Sequence, residues 1–140
     1  MDERELQQSL ASLELLRAQL QSLAEQQQII QLSLEENSRA KDTLLSLKDA
    51  PVDSEILVPI GGSSFAFTKV GSNSRVIIGV GSGISIEKPI DEAVKIIDER
   101  IKEMVETFNK LGERRSSIEA QSSKLSQQVQ QEYQRMQKRS

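Results

Sequence analysis

The sequence predicts an α+β protein in which two long helices form an antiparallel coiled coil around two central β-hairpins. Seam residues, mostly apolar, recur in alternating steps of four and three residues near both ends of the chain, and glycine-rich turns separate short β-prone runs between them. Such steps are the seam of a coiled coil rather than the stripe of a globular helix. Laid antiparallel, the two seams face each other in one fixed register, with Leu44 opposite Val94 and Leu13 opposite Leu125.

The N-terminal helix is predicted over residues 1–49. It ends at Ala50-Pro51, because the residue before a proline is pushed out of helical geometry. Its seam positions are Leu6, Ser9, Leu13, Leu16, Leu20, Leu23, Gln27, Ile30, Leu34, Asn37, Lys41, Leu44 and Lys48.

Residues 50–87 are predicted to form two consecutive β-hairpins. Alternating β-prone runs lie at 55–60, 64–69, 75–80 and 83–87, and turn-forming residues separate them. Isolated hairpins are marginal in water, and their exposed edges invite pairing with other chains. We therefore expect the hairpins to find sheet partners in other subunits, which makes the protein an obligate oligomer.

The C-terminal helix is predicted over residues 88–140. Pro89 suits the first turn of a helix, and Asp91 and Glu92 are favourable near its positive end. Because the two helices share one register, we expect a single domain whose termini meet at the far end of the coiled coil. The seam positions of this helix are Ile90, Val94, Ile97, Ile101, Met104, Phe108, Leu111, Arg115, Ile118, Ser122, Leu125, Val129, Glu132 and Met136.

The predicted seam is least regular near the two termini. Apolar side chains there repeatedly face polar ones, in the pairs Leu23 with Arg115, Leu16 with Ser122, Ser9 with Val129 and Leu6 with Glu132. Leu10, Leu15 and Tyr133 lie off the seam. We therefore expect the distal third to be splayed or frayed and to present apolar surface to a partner, since burying one such side chain is worth roughly 1.5–3 kcal/mol. The alternatives are ordinary surface leucines, or fraying without a function.

The composition argues against several classes of function. The net charge is −3, which does not suit a protein that neutralises nucleic-acid phosphates. No apolar stretch approaches the ~20 residues of a membrane span. The acidic start of the chain does not have the pattern of a signal peptide. We expect a cytoplasmic protein that binds neither nucleic acid nor membrane.

Catalytic and cofactor chemistry has little support in the sequence. The chain contains no His and no Cys, which removes the commonest general base and the thiolate metal ligands. The glycines of residues 79–83 do not complete a dinucleotide-binding motif, and a strand-like run follows them. We expect no catalytic residue, no metal ligand and no cofactor, and hence no enzyme.

With these elements in place, the chain resembles the α-class subunit of prefoldin, a chaperone of archaea and eukaryotes. The resemblance is most specific in three segments: Glu55–Gly62, Val76–Gly81 and Ile86–Lys88, the start of the second helix. Two hairpins rather than one distinguish the α class from the β class in that family.

The resemblance implies an ATP-independent chaperone that holds unfolded proteins at the coiled-coil tips and delivers them to a group II chaperonin. It implies a hetero-hexamer of two α and four β subunits, whose hairpins pair into intersubunit β-barrels. The implied client-binding residues are Leu6, Leu10, Leu13, Leu125, Val129, Tyr133 and Met136. The implied assembly residues are Ile56, Val58, Ile60, Phe65, Phe67, Val76, Ile78, Val80, Ile84 and Ile86.

A different class of function stays open from the sequence. A coiled-coil scaffold or tether of a non-chaperone assembly would use its helices as spacers, keep its seam closed to the ends and bind one defined partner. A chaperone of the holding type needs exposed apolar tips and should bind many unfolded chains. The state of the tips therefore separates the two hypotheses.

Overall fold

The computed structural model describes residues 2–139, and it confirms the predicted fold class of two long helices with two antiparallel hairpins. The elements are α1 (Glu3–Asp49), β1 (Glu55–Gly61), β2 (Ser64–Lys69), β3 (Arg75–Gly81), β4 (Ile84–Pro89) and α2 (Ile90–Arg139). Met1 and Ser140, which the sequence assigns to the helices, lie outside the described residues. The chain divides into two compact units. Leu34–Glu103 form the hairpin unit, and the described residues before and after them form the terminal unit.

The terminal unit consists of the two helix ends packed along the predicted seam. A capping box begins α1: the backbone N–H of Glu5 donates to Asp2 Oδ1 at 2.8 Å, and that of Asp2 donates to Glu5 Oε2 at 3.4 Å. The seam positions of this unit are buried or half-buried, apart from Met136. Its buried hydrophobic side chains are Leu6, Leu13, Leu23, Ile118 and Val129.

The predicted splaying of the distal third is wrong. Leu6, Leu13 and Val129 are only 5–7% exposed and form one cluster, against which Leu10 and Leu125 pack. Leu10, expected to be exposed, is half-buried next to the small seam residue Ser9. Facing pairs alone were therefore too narrow a criterion, because an off-seam leucine also packs against the cluster.

A polar layer interrupts the apolar seam of the terminal unit. Gln27 donates from Nε2 to the backbone carbonyl of Phe108 at 3.3 Å, and Arg115 Nη1 donates to Gln27 Oε1 at 3.2 Å. Arg115 also forms an ion pair with Glu119 at 3.1 Å. Gly112 leaves room for the amide, since a Cβ there would lie 3.2 Å from Gln27 Nε2. Gln27 and Arg115 are thus paired with each other. The absence of a side chain at Gly112, in the middle of α2, leaves space for the Gln27 amide.

The two hairpins of the hairpin unit have the same backbone design, repeated at an interval of twenty residues. Both loop residues of each hairpin, Gly62-Ser63 and Ser82-Gly83, have positive φ, which suits the twist of a tight hairpin. Each first strand has a register shift next to a glycine, Gly61 or Gly81. Val70 N–H donates to the carbonyl of Ser54, and Ile90 N–H donates to that of Ser74, both at 2.9 Å.

The second hairpin packs against the start of α2. Ile78 is 7% exposed and forms a cluster with Ala93 and Ile97, and Val76 and Ile86 pack against that cluster. The guanidinium of Arg100 donates to the carbonyl of Gly79 on the same strand. The first hairpin pairs only β1 with β2, and its apolar side chains are exposed on both faces.

Two ion pairs join α1 to α2 within the hairpin unit. Lys41 Nζ lies 2.7 Å from Asp98 Oδ1, and Lys48 Nζ lies 2.7 Å from Asp91 Oδ1. The hydrogen bond and the charge of Asp91 raise the pKa of Lys48 above its usual value. Because both residues are exposed, the pair adds little to stability, and that contribution is lost as the pH rises through the raised pKa.

The two isoleucines of β3 provide a matched test of this packing. Ile78→Ala should lower the free energy of unfolding by about 2–4 kcal/mol, because it leaves a cavity against Ala93 and Ile97. Ile77, which is 76% exposed on the other face of the strand, is the control. Its change to alanine should cost less than about 0.5 kcal/mol in urea unfolding followed by circular dichroism. Equal losses would contradict the assignment of the two faces.

A double-mutant cycle tests the polar layer. Gly112→Ala should stabilise α2 by about 0.5–1 kcal/mol when Gln27 is alanine, since alanine is the better helix former. In the natural chain most of that gain should vanish, because the new methyl group displaces the amide of Gln27 from the carbonyl of Phe108. Urea unfolding of the four variants gives the coupling free energy. A coupling of zero would mean that Gly112 has no steric role.

Candidate functional sites at the helix ends and hairpins

The first candidate site is the apolar cluster at the helix ends of the terminal unit. We call Leu6, Leu10, Leu13, Leu125 and Val129 the tip cluster. The structure brings together these five of the seven predicted client-binding residues, and it covers most of their surface. The remaining two, Tyr133 and Met136, are about half exposed. Of the seven predicted residues, these two offer the most apolar surface without a change in structure.

A carboxylate lies at the end of the tip cluster. Glu132 is 8% exposed, and it occupies a seam position one helical turn beyond Val129. Its Oε2 atom lies 3.7 Å from the guanidinium of Arg135, which is mostly exposed. The sequence indicated that Glu132 faces Leu6, but not that both side chains would be buried.

Further apolar side chains are exposed on the outer surface of α1 in the terminal unit. Leu15, Ile29 and Leu32 are each about 60% exposed or more, and none belongs to the tip cluster. In the sequence, their positions off the seam indicated that they do not pack between the two helices. They provide a natural comparison for the three tip-cluster leucines of α1, since they are aliphatic residues on the same helix.

The second candidate site is the first hairpin, which is apolar on both faces. Cross-strand pairing puts Leu57 with Phe67 and Pro59 with Phe65 on one face, and Val58 with Ala66 on the other. Phe67 is 77% exposed, and Phe65, Leu57 and Ile60 are more than half exposed. A two-stranded sheet with two uncovered apolar faces requires a partner to be stable in water.

The second hairpin has a different surface. Among the predicted assembly residues, Ile78 is buried against Ala93 and Ile97 of α2, and Val76 and Ile86 are half-buried against the same cluster. Val80 and Ile84 are exposed, as is Ile77, which the prediction omitted together with Leu57. The alternation of side chains along a strand defines its two faces. Which face packs on a helix depends on the position of that helix.

An apolar groove runs along the second hairpin within the hairpin unit. It is lined by Ala40, Thr43 and Leu44 of α1, by β3 from Val76 to Gly79, and by Ala93 and Ile97 of α2. Its wall includes the exposed side chain of Ile77. Together with the faces of the first hairpin, it gives the hairpin unit an extensive exposed apolar surface.

Among residues 2–139, no cluster of Asp and Glu side chains could hold a metal ion. Over the same residues, neither helix is long and apolar enough to span a membrane. Most of the ion pairs of the described residues are exposed. The arrangement is suited to binding through apolar surface.

Comparison with known proteins gives consistent matches. The family model for prefoldin subunits matches residues 16–135. Prefoldin subunit alpha of Methanothrix thermoacetophila is 33% identical over 109 residues, which cover 78% of this chain and 71% of that protein. Prefoldin subunit alpha of Methanopyrus kandleri is 41% identical over 70 residues, which cover 50% of this chain and 45% of that protein.

A solved structure agrees with these matches. The filamentous PFD from Methanocaldococcus jannaschii, determined by cryo-electron microscopy, superposes with a TM-score of 0.72 at 25% identity. The match covers 82% of this chain and 95% of that one.

Two long helices joined by two small β-hairpins are typical of coiled-coil chaperone subunits, and the chain belongs to the prefoldin family. Within that family it is an α-class subunit, as its two hairpins and its curated relatives indicate. Prefoldins are chaperones and not an enzyme family, which agrees with the prediction from the sequence.

The exposed aromatic face of the first hairpin gives a testable prediction about assembly. Glu87 occupies in the second hairpin the place that Phe67 has in the first. Phe67→Glu should weaken subunit association by about 10- to 100-fold, the factor expected when one buried aromatic side chain is lost. Because Phe67 is largely exposed in the single chain, the helix content of the variant, measured by circular dichroism, should equal that of the natural chain.

The matched control for Phe67→Glu is Glu87→Gln, which alters an exposed residue at the equivalent position. Native mass spectrometry over a concentration series measures association in both variants. If Phe67→Glu assembles as well as the natural chain, this face of the first hairpin lies outside the subunit interface.

Proposed function

We propose that this chain is the α subunit of an ATP-independent chaperone that holds unfolded proteins at its tips. In this proposal two such chains assemble with four β-class subunits through intersubunit β-barrels, and the complex works in the cytoplasm and delivers clients to a group II chaperonin. The tip cluster carries the proposal, because it gathers leucines at the helix ends that can exchange one apolar partner for another.

The exposed surface of the first hairpin supports the assembly part of the proposal. Both faces carry apolar side chains, and strand edges are unpaired beyond the two-stranded sheets. Strands of neighbouring subunits would cover those faces and pair those edges. A hairpin of this composition would be marginally stable as an isolated surface element.

The closed tip cluster constrains how a client could bind. Separating the helix ends exposes side chains whose burial is worth about 1.5–3 kcal/mol each. An apolar segment of an unfolded chain can replace the lost contacts, so only the difference between the two contacts remains as binding free energy. Each tip then binds weakly, and several tips on one complex hold a client by raising its effective concentration.

The scaffold hypothesis has one observation in its favour. The seam is closed as far as Leu6 and Glu132, which is what a tether requires. Membership of a chaperone family and the partial exposure of Tyr133 and Met136 favour the chaperone. The two hypotheses differ in whether the tip leucines bind many unfolded chains.

A substitution experiment on the assembled complex tests the proposed function. Changing Leu6, Leu10 and Leu13 to serine should reduce the suppression of client aggregation several-fold, because the three side chains supply much of the apolar surface at the tip. Light scattering of a chemically unfolded client, without nucleotide, measures the suppression. Native mass spectrometry confirms that the variant still assembles with a β-class partner.

The matched control changes Leu15, Ile29 and Leu32 to serine on the same helix. These residues are exposed and lie outside the tip cluster, so suppression should stay close to that of the natural complex. Equal loss in both variants would show that clients bind helical leucines in general. No suppression by the natural complex would favour the scaffold.

A further inference from the structure

The hydrogen-bond phase of each hairpin determines which backbone groups point away from the partner strand. In the second hairpin, Ile90 N–H donates to the carbonyl of Ser74, and the bonds between β3 and β4 continue from there at alternate residues. The N–H and C=O groups of the intervening β3 residues, among them Ile77 and Gly79, therefore point outward at the free edge of the strand. Such an edge is a template for pairing with a strand of another chain.

Two prolines interrupt two of the four strand edges. The hydrogen bond from Val70 N–H to the carbonyl of Ser54 sets the phase of the first hairpin. Pro59 of β1 and Pro89 of β4 then both occupy outward positions. A proline there removes one outward donor without breaking a bond of the hairpin itself. The outward residues of β2 all keep a donor and an acceptor; they are Phe65, Phe67 and Lys69.

The edge of β3 has no proline, and side chains occupy it instead. The guanidinium of Arg100 in α2 donates to the outward carbonyl of Gly79. At the other end of the edge, Ser72 Oγ accepts a hydrogen bond from the outward N–H of Arg75 at 3.3 Å. Side chains thus use one acceptor and one donor that a second strand would need.

The packing of β3 on α2 holds Arg100 beside this edge. Ala93, Ile97 and Arg100 follow one another at intervals of four and three residues, so they lie on one face of the helix. The first two form a cluster with Ile78, which precedes Gly79 on the strand. The position of Arg100 therefore follows from a core contact within the hairpin unit and requires no partner subunit.

The composition of β3 makes a second copy of this chain a competitor for the edge. Residues 76–80 are valine and isoleucine apart from Gly79, and they carry no charge. Ile77 is 76% exposed. Short segments of high β-propensity and low charge favour pairing between identical strands. Two copies that paired through this edge would each have to displace Arg100.

We propose that Arg100 blocks the free edge of β3 against pairing with a second copy of this chain. An incoming strand has to displace the guanidinium from the carbonyl of Gly79, and a hydrogen bond from a charged donor is stronger than a neutral one. A partner that contacts both hairpins at once can offset that loss, whereas a copy that pairs through one edge cannot. The nature of that partner rests on the proposed function, but the blocking of the edge does not.

Self-association of the isolated full chain tests this role of Arg100. Arg100→Gln shortens the side chain and removes its charge, so it should strengthen self-association about tenfold, which corresponds to about 1.4 kcal/mol. Arg100→Lys keeps a long side chain with a charged donor and should stay close to the natural chain. Sedimentation equilibrium over a concentration series, without a β-class partner, measures the association.

Hydrogen exchange on the same samples shows which edge pairs. The amide of Ile77 points outward on β3, so its exchange in Arg100→Gln should slow as the concentration rises. The amide of Phe67, which points outward on β2, should exchange as in the natural chain at each concentration. Stronger association that protects Phe67 and not Ile77 overturns the proposal, because the added contact then lies at a different edge.

The matched control is Arg114→Gln, which makes the same change at an exposed position of α2 in the terminal unit. Its self-association should equal that of the natural chain. The proposal is overturned if Arg100→Gln associates no more strongly than the natural chain, or if Arg114→Gln gains as much. Partial unfolding of Arg100→Gln would speed the exchange of Ile77 instead of slowing it, and would equally contradict the proposal.

Suppression of client aggregation by the natural chain with a β-class partner tests the proposed function separately. Absence of suppression would contradict that function and leave the result on Arg100 in place. Normal suppression, together with equal self-association of the natural chain and Arg100→Gln, would contradict the role of Arg100 alone.

Discussion

The apolar seam between the two helices is the interaction on which the rest of the molecule depends. More than a quarter of the residues are charged and only 3% are aromatic, so apart from the contact with the second hairpin the composition provides little material for another core. Each long helix gains its stability by burying one narrow stripe against the other. Most side chains off that stripe are exposed to solvent, so the exposed apolar side chains among them are available for binding a partner.

The two hairpins show how one backbone design serves different surroundings. Ser54 with Val70 and Ser74 with Ile90 make the same closing hydrogen bond, and each hairpin turns through residues of positive φ. The side chains differ: Phe65 and Phe67 occupy the places that Ser85 and Glu87 have in the second hairpin. The second hairpin therefore buries one face on its own helix and presents a more polar one, whereas the first has two apolar faces that only another chain can cover.

The sequence was sufficient for the helices, their register and the strands, because each of these follows from the periodicity of side chains. It was insufficient where the outcome depends on which neighbour fills a space. Leu10 packs against the cluster of Leu6, Leu13 and Val129, and Gly112 accommodates the amide of Gln27; neither contact follows from pairing the facing seam residues. In the same way, alternation marks Ile77 and Ile78 as opposite faces of a strand, but only the position of Ala93 and Ile97 decides which of them is buried.

A tip cluster that is closed in the structure can still bind a client, as proposed, if the contact between the helices is weakest near their ends. The polar layer at Gln27 joins the helices by directional hydrogen bonds, so it resists separation and marks the inner limit of the distal leucines. Beyond it, the tip cluster is held by apolar contacts that are not directional, and these can be replaced by any apolar segment of similar size. For the proposed binding of clients, low specificity is the expected consequence, because such contacts distinguish shape and hydrogen-bonding groups poorly.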